Sequence, residues 1–495
     1  MKNNFMLFPA FRPVRLGVLA ALCVCLAASA RAQTAASALE AEEAPARFDR
    51  PTSDTRFARP LGEVLDEIER RFDVRLQRPK DLDQTQLLDY AEYRFRPWSV
   101  EETLKNVLAP IDYKLVFKGR NIYEIRKFEY TRRLAPDGQQ FIDYLNTLYD
   151  DRESFEARRA LLRREMRHAA GLDSLPARPD SKPYLTPKRT YDGYYVQNIG
   201  LEILPGVYCT GSIYHPLKYR KASCPVILNP NGHFGDGRYR RDEQLRCAMQ
   251  ARMGCIAVSY DLFAWDEQLL QFEPTSHRTA MAHTIQNLNG LRLLDYLLSL
   301  KEADPTRVGI TGGSGGGSST MFLTAIDERI TLSMPVVMTT SYFIGGCPCE
   351  SGNPIHLAGG GTMNAEVAAL CAPRPLLVVS DGKDWTRDVP QISYPYLQRV
   401  YGFYNAQDKV ENAHFPTEGH DYGWSKREAT YRFLEKHWHL DTSKVKNAEG
   451  RFDESGCTVE DYSLLKVWGP QGENLPANAL HGIDELYKLF KAFGQ

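Results

Sequence analysis

The sequence predicts an α/β protein: a large, mostly parallel sheet with helices on both faces, preceded by a small α+β domain. Three observations carry this. From residue 186 onward, short apolar runs alternate with segments of helical period. A serine sits in a glycine-rich turn between one such run and a helix. Residues 56–128 form a separate pattern of two amphipathic helices among short strands. The 495 residues hold 61 basic and 62 acidic side chains, a net charge of -1, and 43% are hydrophobic. This balance excludes whole-chain disorder, a collagen or coiled-coil rod, and the basic footprint of a nucleic-acid binder.

Residues 1–32 read as a secretory signal peptide, because Lys2, Arg12 and Arg15 precede the apolar run 16–28 and Ala30-Arg31-Ala32 offers a cleavage site before Gln33. The run is shorter than the roughly 18 residues a membrane span needs, so no span is expected. The leader carries four basic and no acidic residues, and its removal leaves 57 against 62, a net charge of -5. Eight cysteines remain (Cys209, Cys224, Cys247, Cys255, Cys347, Cys349, Cys371 and Cys457), an even number that suits some disulfides in an oxidising compartment. Cys255 and Cys371 lie in or beside apolar runs and read as buried thiols. Cys347-Pro348-Cys349 lacks the second ligand cluster of a structural zinc site, so no metal is expected.

In residues 56–128, Leu61, Val64, Leu65, Ile68 and Phe72 recur at helical spacing. A second helix starts at Ser99, with Glu102 completing a capping box and Val100, Leu104, Val107 and Leu108 on one face. Strands are expected at 74–76, 93–95, 113–117 and 121–125, the last two as a hairpin. Residues 129–185 form a charged helical linker that packs on the main domain, with Phe141, Leu145, Leu148, Phe155, Leu161 and Leu162 on its apolar face, and end in a proline-rich entry. The main domain, 186–445, opens with a hairpin at 195–204 and 207–215. Strands succeed it at 225–229, 255–260, 308–311, 332–338 and 375–380, and helices at 243–253, 279–300, from about 318, 394–404 and 427–437. Residues 446–495 are a C-terminal extension.

Gly312-Gly313-Ser314-Gly315-Gly316 is a G-x-S-x-G turn between a buried strand and a helix, the setting of a nucleophile elbow. A flexible linker would not be embedded between "RVGI" and "MFLTAI". A P-loop would need a lysine that is absent. Serine needs a histidine base and an orienting carboxylate, and Ser314, Asp384 and His420 occur in that order. Asp381 and Glu350 are the other acids in suitable loops, and His414 is a second histidine. For the oxyanion, Gly315 would give one amide, and His233 or Phe234, in the loop after "PVILNP", would give the other. Arg238, Arg240 and Arg241 beside that loop suit a uronate carboxylate, the competing reading being a solvated basic face. Tyr239 and Trp265 would stack on sugar rings, unless they serve only packing.

"PLGEVLDEIERRF", "WSVEETLKNVLAP" and "YKLVFKGRNIYEI" resemble the short N-terminal domain shared by secretins and TonB-dependent receptors. That resemblance covers about 70 residues and implies contacts with an envelope protein partner in a Gram-negative periplasm, without chemistry. "NPNGHFGDG", "VGITGGSGGG", "APRPLLVVSDGKDW" and "NAHFPTEGHDYG", across about 191–440, resemble the serine α/β-hydrolases, and more narrowly the carbohydrate esterases of acetyl-xylan and pectin type. Glucuronoyl esterases usually carry an arginine after the serine, where this chain has Gly315. The resemblance implies a periplasmic or secreted esterase without a cofactor. Its expected substrate is a plant polysaccharide or oligosaccharide ester, foremost the methyl ester of pectic galacturonate, with an acetyl ester as the alternative. A non-catalytic envelope binding protein on a hydrolase scaffold is the rival outside enzymes, and a serine peptidase the rival within them.

Overall fold

A computed structural model describes residues 58–493 except 89–90, 109–110, 112, 128–134, 174, 343–344 and 346, so the expected leader lies outside the described residues. The chain divides into two compact units, Met1–Arg126 and Lys127–Gln495. In the first, helices α1 (Leu61–Phe72) and α2 (Val100–Leu108) accompany strands β1 (Arg75–Gln77), β2 (Tyr113–Gly119) and β3 (Ile122–Lys127), which form a sheet in the order β1-β3-β2. Its core gathers Leu61, Val64, Leu65, Ile68, Leu104, Val107 and Leu108, the residues whose helical period faces inward. Half of the expected capping box forms, the Glu102 amide donating to Ser99 Oγ at 3.1 Å, while the Glu102 carboxylate takes the Trp98 indole N–H instead. The strand expected at 93–95 is replaced by a 3₁₀ turn, Ala91–Arg94.

The second unit begins with α3 (Ala135–Leu148) and α4 (Arg152–Ala169). These helices pack into the second unit. Buried Arg158 pairs with buried Glu366 at 2.9 Å, and the Tyr149 and Tyr396 hydroxyls meet at 2.5 Å. On the expected apolar face Leu145, Phe155 and Leu162 are buried, but Leu148 is exposed.

Next come β4 (Tyr194–Leu204), β5 (Val207–Pro216), β6 (Cys224–Pro230), α5 (Arg241–Arg252), β7 (Ile256–Tyr260), α6 (Met281–Leu298), β8 (Ala303–Gly313) and α7 (Gly315–Ile326). After them lie β9 (Leu332–Val336), α8 (Pro348–Ser351), α9 (Asn364–Ala369), β10 (Leu376–Asp381), α10 (Tyr394–Gly402), β11 (Val410–Phe415), α11 (Trp424–Trp438) and α12 (Ile483–Ala492). The labelled strands of the ten-stranded sheet run in the order β11-β10-β9-β8-β6-β7-β5-β4. From β11 to β7 every pairing is parallel, and β5 and β4 add an antiparallel edge. Strands β6, β7, β9 and β10 are buried at every residue, which is why they read as mainly apolar runs without polar alternation. Their parallel sense brings the loops after β6, β8, β10 and β11 to one edge, where open α/β sheets place their sites.

The C-terminal extension is part of this unit. Glu267 accepts the amides of Val467 and Trp468 at 2.8 and 2.9 Å, and the Trp468 ring lies where a Cβ on Gly200 would come within 2.1 Å of it. Among the described residues no helix is long and apolar enough to cross a membrane.

Candidate active site

Ser314 caps α7 with φ 56° and ψ -123°, a conformation that is strained for any residue carrying a Cβ. The glycines around it are required by crowding. A Cβ on Gly312 would lie 2.4 Å from the Pro230 carbonyl oxygen, and one on Gly316 2.2 Å from the same atom. Gly315, the first residue of α7, has an amide with no partner inside the helix, and the positive end of the helix dipole lies there.

Ser314 Oγ is 2.9 Å from His420 Nε2, and His420 Nδ1 is 2.8 Å from Asp384 Oδ2. The other carboxylate oxygen of Asp384 accepts the amide and hydroxyl of Thr386 at 2.6 and 2.5 Å. Burial opposes charge on Asp384, but the hydrogen bonds from His420 and Thr386 prevail and hold its carboxyl below the usual range. Asp381 goes the other way. Burial and the neighbouring Asp384 push it up to about 6, and it faces Lys426 Nζ at 3.5 Å. Glu350 lies 3.5 Å from His233 Nδ1 and accepts the Cys347 amide at 3.2 Å. His414 bonds Ser380 at 2.9 Å within the sheet. Of the three acids and two histidines read from the sequence, Asp384 and His420 are therefore the pair in line with Ser314. Trp385, which sequence reasoning did not single out, packs on His420 with ring centroids 4.2 Å apart.

The loop after β6 lies against the elbow. A Cβ on Gly232 would approach Gly313 O to 2.3 Å and Ser314 Cβ to 3.0 Å, and the Phe234 ring is 5.4 Å from that of His420. His233 and Phe234 thus stand beside Ser314, and Trp265 packs edge-on to His233 at 5.6 Å.

The arginine cluster requires correction. Arg238 is fully buried, its guanidinium held by Asp261 and Glu267 at 2.6 Å each, Ser212 Oγ at 2.8 Å and the Leu465 carbonyl at 2.7 Å. Every donor is committed, so it pins the loop and is closed to a substrate. Tyr239 is also buried, bonded to Arg238 and packed at a tilt against Tyr462, with ring centroids 4.1 Å apart. Arg241 is exposed at the start of α5. Arg240 alone borders the site, paired with Asp242 at 2.7 Å and lying 4.6 Å above the Phe234 ring.

The cysteines also depart from expectation. All eight described thiols are free, and seven are buried. Cys347 and Cys349 do have partner ligands, because His233 and His277 bring theirs from elsewhere in the chain to within 4.8 Å. No spacing motif announces this group. The Cys347 thiol is held down to about 2 by hydrogen bonding from Cys349, His233 and His277, against the effect of burial.

A parallel sheet with a strained serine elbow and a Ser–His–Asp relay at its C-terminal edge defines an α/β-hydrolase, and the chain is a carboxylic-ester hydrolase. Methylesterase BT1017 is 49% identical to it at a TM-score of 0.71, with 90% of this chain and 100% of that one covered. The chain belongs to the family of that methylesterase. An acetyl xylan esterase from Paenibacillus sp. R4 (18% identity, TM-score 0.38, 56% of this chain and 93% of that one) and a glucuronoyl esterase from Solibacter usitatus (16%, 0.42, 58% and 94%) are more distant. No protein-family model and no curated protein matches the chain.

Proposed function

We propose that this chain is a secreted or periplasmic serine carbohydrate esterase that removes methyl esters from pectic galacturonate. The observation that carries the reading is the continuous relay from Asp384 through His420 to Ser314, with contacts of 2.8 and 2.9 Å. Ser314 Oγ attacks the ester carbonyl while His420 Nε2 takes its proton, and Asp384 holds the ring and offsets the positive charge that develops on it. The Gly315 amide and that of His233 or Phe234 receive the oxyanion. When the tetrahedral intermediate collapses, His420 returns the proton to the leaving methoxide. Water activated by His420 then cleaves the acyl-enzyme, releasing the uronic acid and restoring Ser314.

The likeness to a methylesterase supports the methyl ester, and Arg240 at the rim offers a cation for the uronate polymer. The N-terminal unit, in this reading, supplies contacts to an envelope protein and no chemistry. The test is incubation with methylated and acetylated pectin, scoring methanol and acetate separately. Methanol release that is absent in Ser314→Ala is expected. Acetate release without methanol would replace the methyl ester by the acetyl ester.

A further inference from the structure

Beside the relay, one nitrogen each from His233 and His277 and the sulfurs of Cys347 and Cys349 lie within 4.8 Å of one another, and all four residues but His233 are buried. Four donors bound tetrahedrally at zinc distances stand roughly 3.3–3.8 Å apart. Here the two Nε2 atoms are 2.9 Å apart, a few tenths of an ångström closer than a bound zinc would hold them, and Cys349 Sγ is 3.3 Å from His233 Nε2, so the four donors are gathered tightly enough to surround one ion after small shifts.

The outer contacts fix which nitrogens face that point. His277 Nδ1 is 2.5 Å from the Phe263 carbonyl, which can only accept, so Nδ1 carries the proton and Nε2 presents its lone pair inward. His233 turns Nδ1 toward buried Glu350 at 3.5 Å and Nε2 inward as well. Two inward lone pairs repel unless a proton or a cation lies between them. With two sulfurs alongside, a cation satisfies all four donors, and two thiolates neutralise a divalent charge. A carbonyl on one ligand histidine and a carboxylate on the other are the usual outer partners of metal-bound imidazoles.

We propose that His233, His277, Cys347 and Cys349 form a binding site for a zinc-like divalent cation. The site rests on donor geometry and not on the esterase reading. Four protein ligands close a tetrahedron and leave no position for substrate, so the ion acts by positioning. It ties together the loop after β6, the 3₁₀ turn Pro274–Arg278 and the start of α8. A Cβ on Gly315 would meet Glu350 Oε1 at 2.7 Å and His233 Nδ1 at 3.1 Å, so the tied group rests on the residue whose amide would receive the oxyanion.

The full chain, purified without metal-affinity chromatography from zinc-replete cells, is expected to hold about one zinc by elemental mass spectrometry. Chelation followed by cobalt(II) should give a thiolate-to-cobalt charge-transfer band and tetrahedral d–d absorption. Cys349→Ser and His277→Gln should lose the metal, whereas Ser314→Ala should keep it while losing esterase activity, which separates this site from the catalytic reading. Chelation should lower the unfolding midpoint and kcat, with zinc restoring both. Zinc far below one equivalent together with no cobalt–thiolate band, or peptide masses showing Cys347 and Cys349 joined as a disulfide, would overturn the proposal; both readouts use the wild-type chain, so a variant that fails to fold leaves the test intact.

Discussion

The two sides of Ser314 are built on different principles. On one side, Asp384 and His420 stand on loops that leave adjacent parallel strands β10 and β11, and the histidine keeps a quarter of its side chain exposed. On the other, the loop after β6 is locked by Arg238 between Asp261 and Glu267, with His233 beyond it among His277, Cys347 and Cys349. The reacting side stays accessible so that a proton can move, while the supporting side is buried and rigid so that backbone amides stay aimed. Substitutions on the first side should change rate, and those on the second should change stability first and rate only as a consequence.

That contrast can be broken in order of effect. Ser314→Ala should lower ester hydrolysis by about 10⁴-fold or more with an unchanged circular dichroism spectrum, checked by initial rates on p-nitrophenyl acetate. Asp384→Asn should cost about 10⁴-fold in kcat, while Asp381→Asn stays within roughly tenfold of wild type, because only Asp384 meets His420. A larger loss for Asp381 would move the acid. On the supporting side, Arg238→Met leaves Asp261 and Glu267 buried without their cation. It should cost about 3–5 kcal/mol in urea unfolding, and rate should suffer only through the loss of folded protein. Arg240→Gln should raise the Michaelis constant for pectin a few-fold in a salt-dependent way and leave p-nitrophenyl acetate hydrolysis nearly unchanged. The smallest effect is expected from a chain beginning near residue 133, which should keep its activity on a small ester, because every relay residue lies in the second unit.

The reacting side was the more legible in sequence. A buried strand, a glycine-flanked serine and a helix follow one another without interruption along the chain, and close approach of the backbone leaves glycine as the residue that fits at 312 and 316. The buried strands were legible because enclosure on both faces removes polar alternation. Arg238 was misread because three nearby arginines look alike in sequence; only the fold places Asp261, just past the end of β7, and Glu267, in a later turn, around one of them. The histidine–cysteine group was missed for the same reason, since its members come from a loop, a 3₁₀ turn and the start of a short helix, far apart in the chain. Leu148 fits the helical period of its neighbours yet lies exposed, because periodicity marks a face and not how far the covering layer extends.

The central claim is that Ser314 is the nucleophile, activated by His420. A fluorophosphonate probe combined with peptide mass mapping tests it directly. The expected result is one covalent adduct, on the peptide containing Ser314, formed rapidly by the wild type, slowly by His420→Ala and absent in Ser314→Ala. Stoichiometric adduct on another residue, or labelling of Ser314→Ala at the wild-type rate, would contradict it.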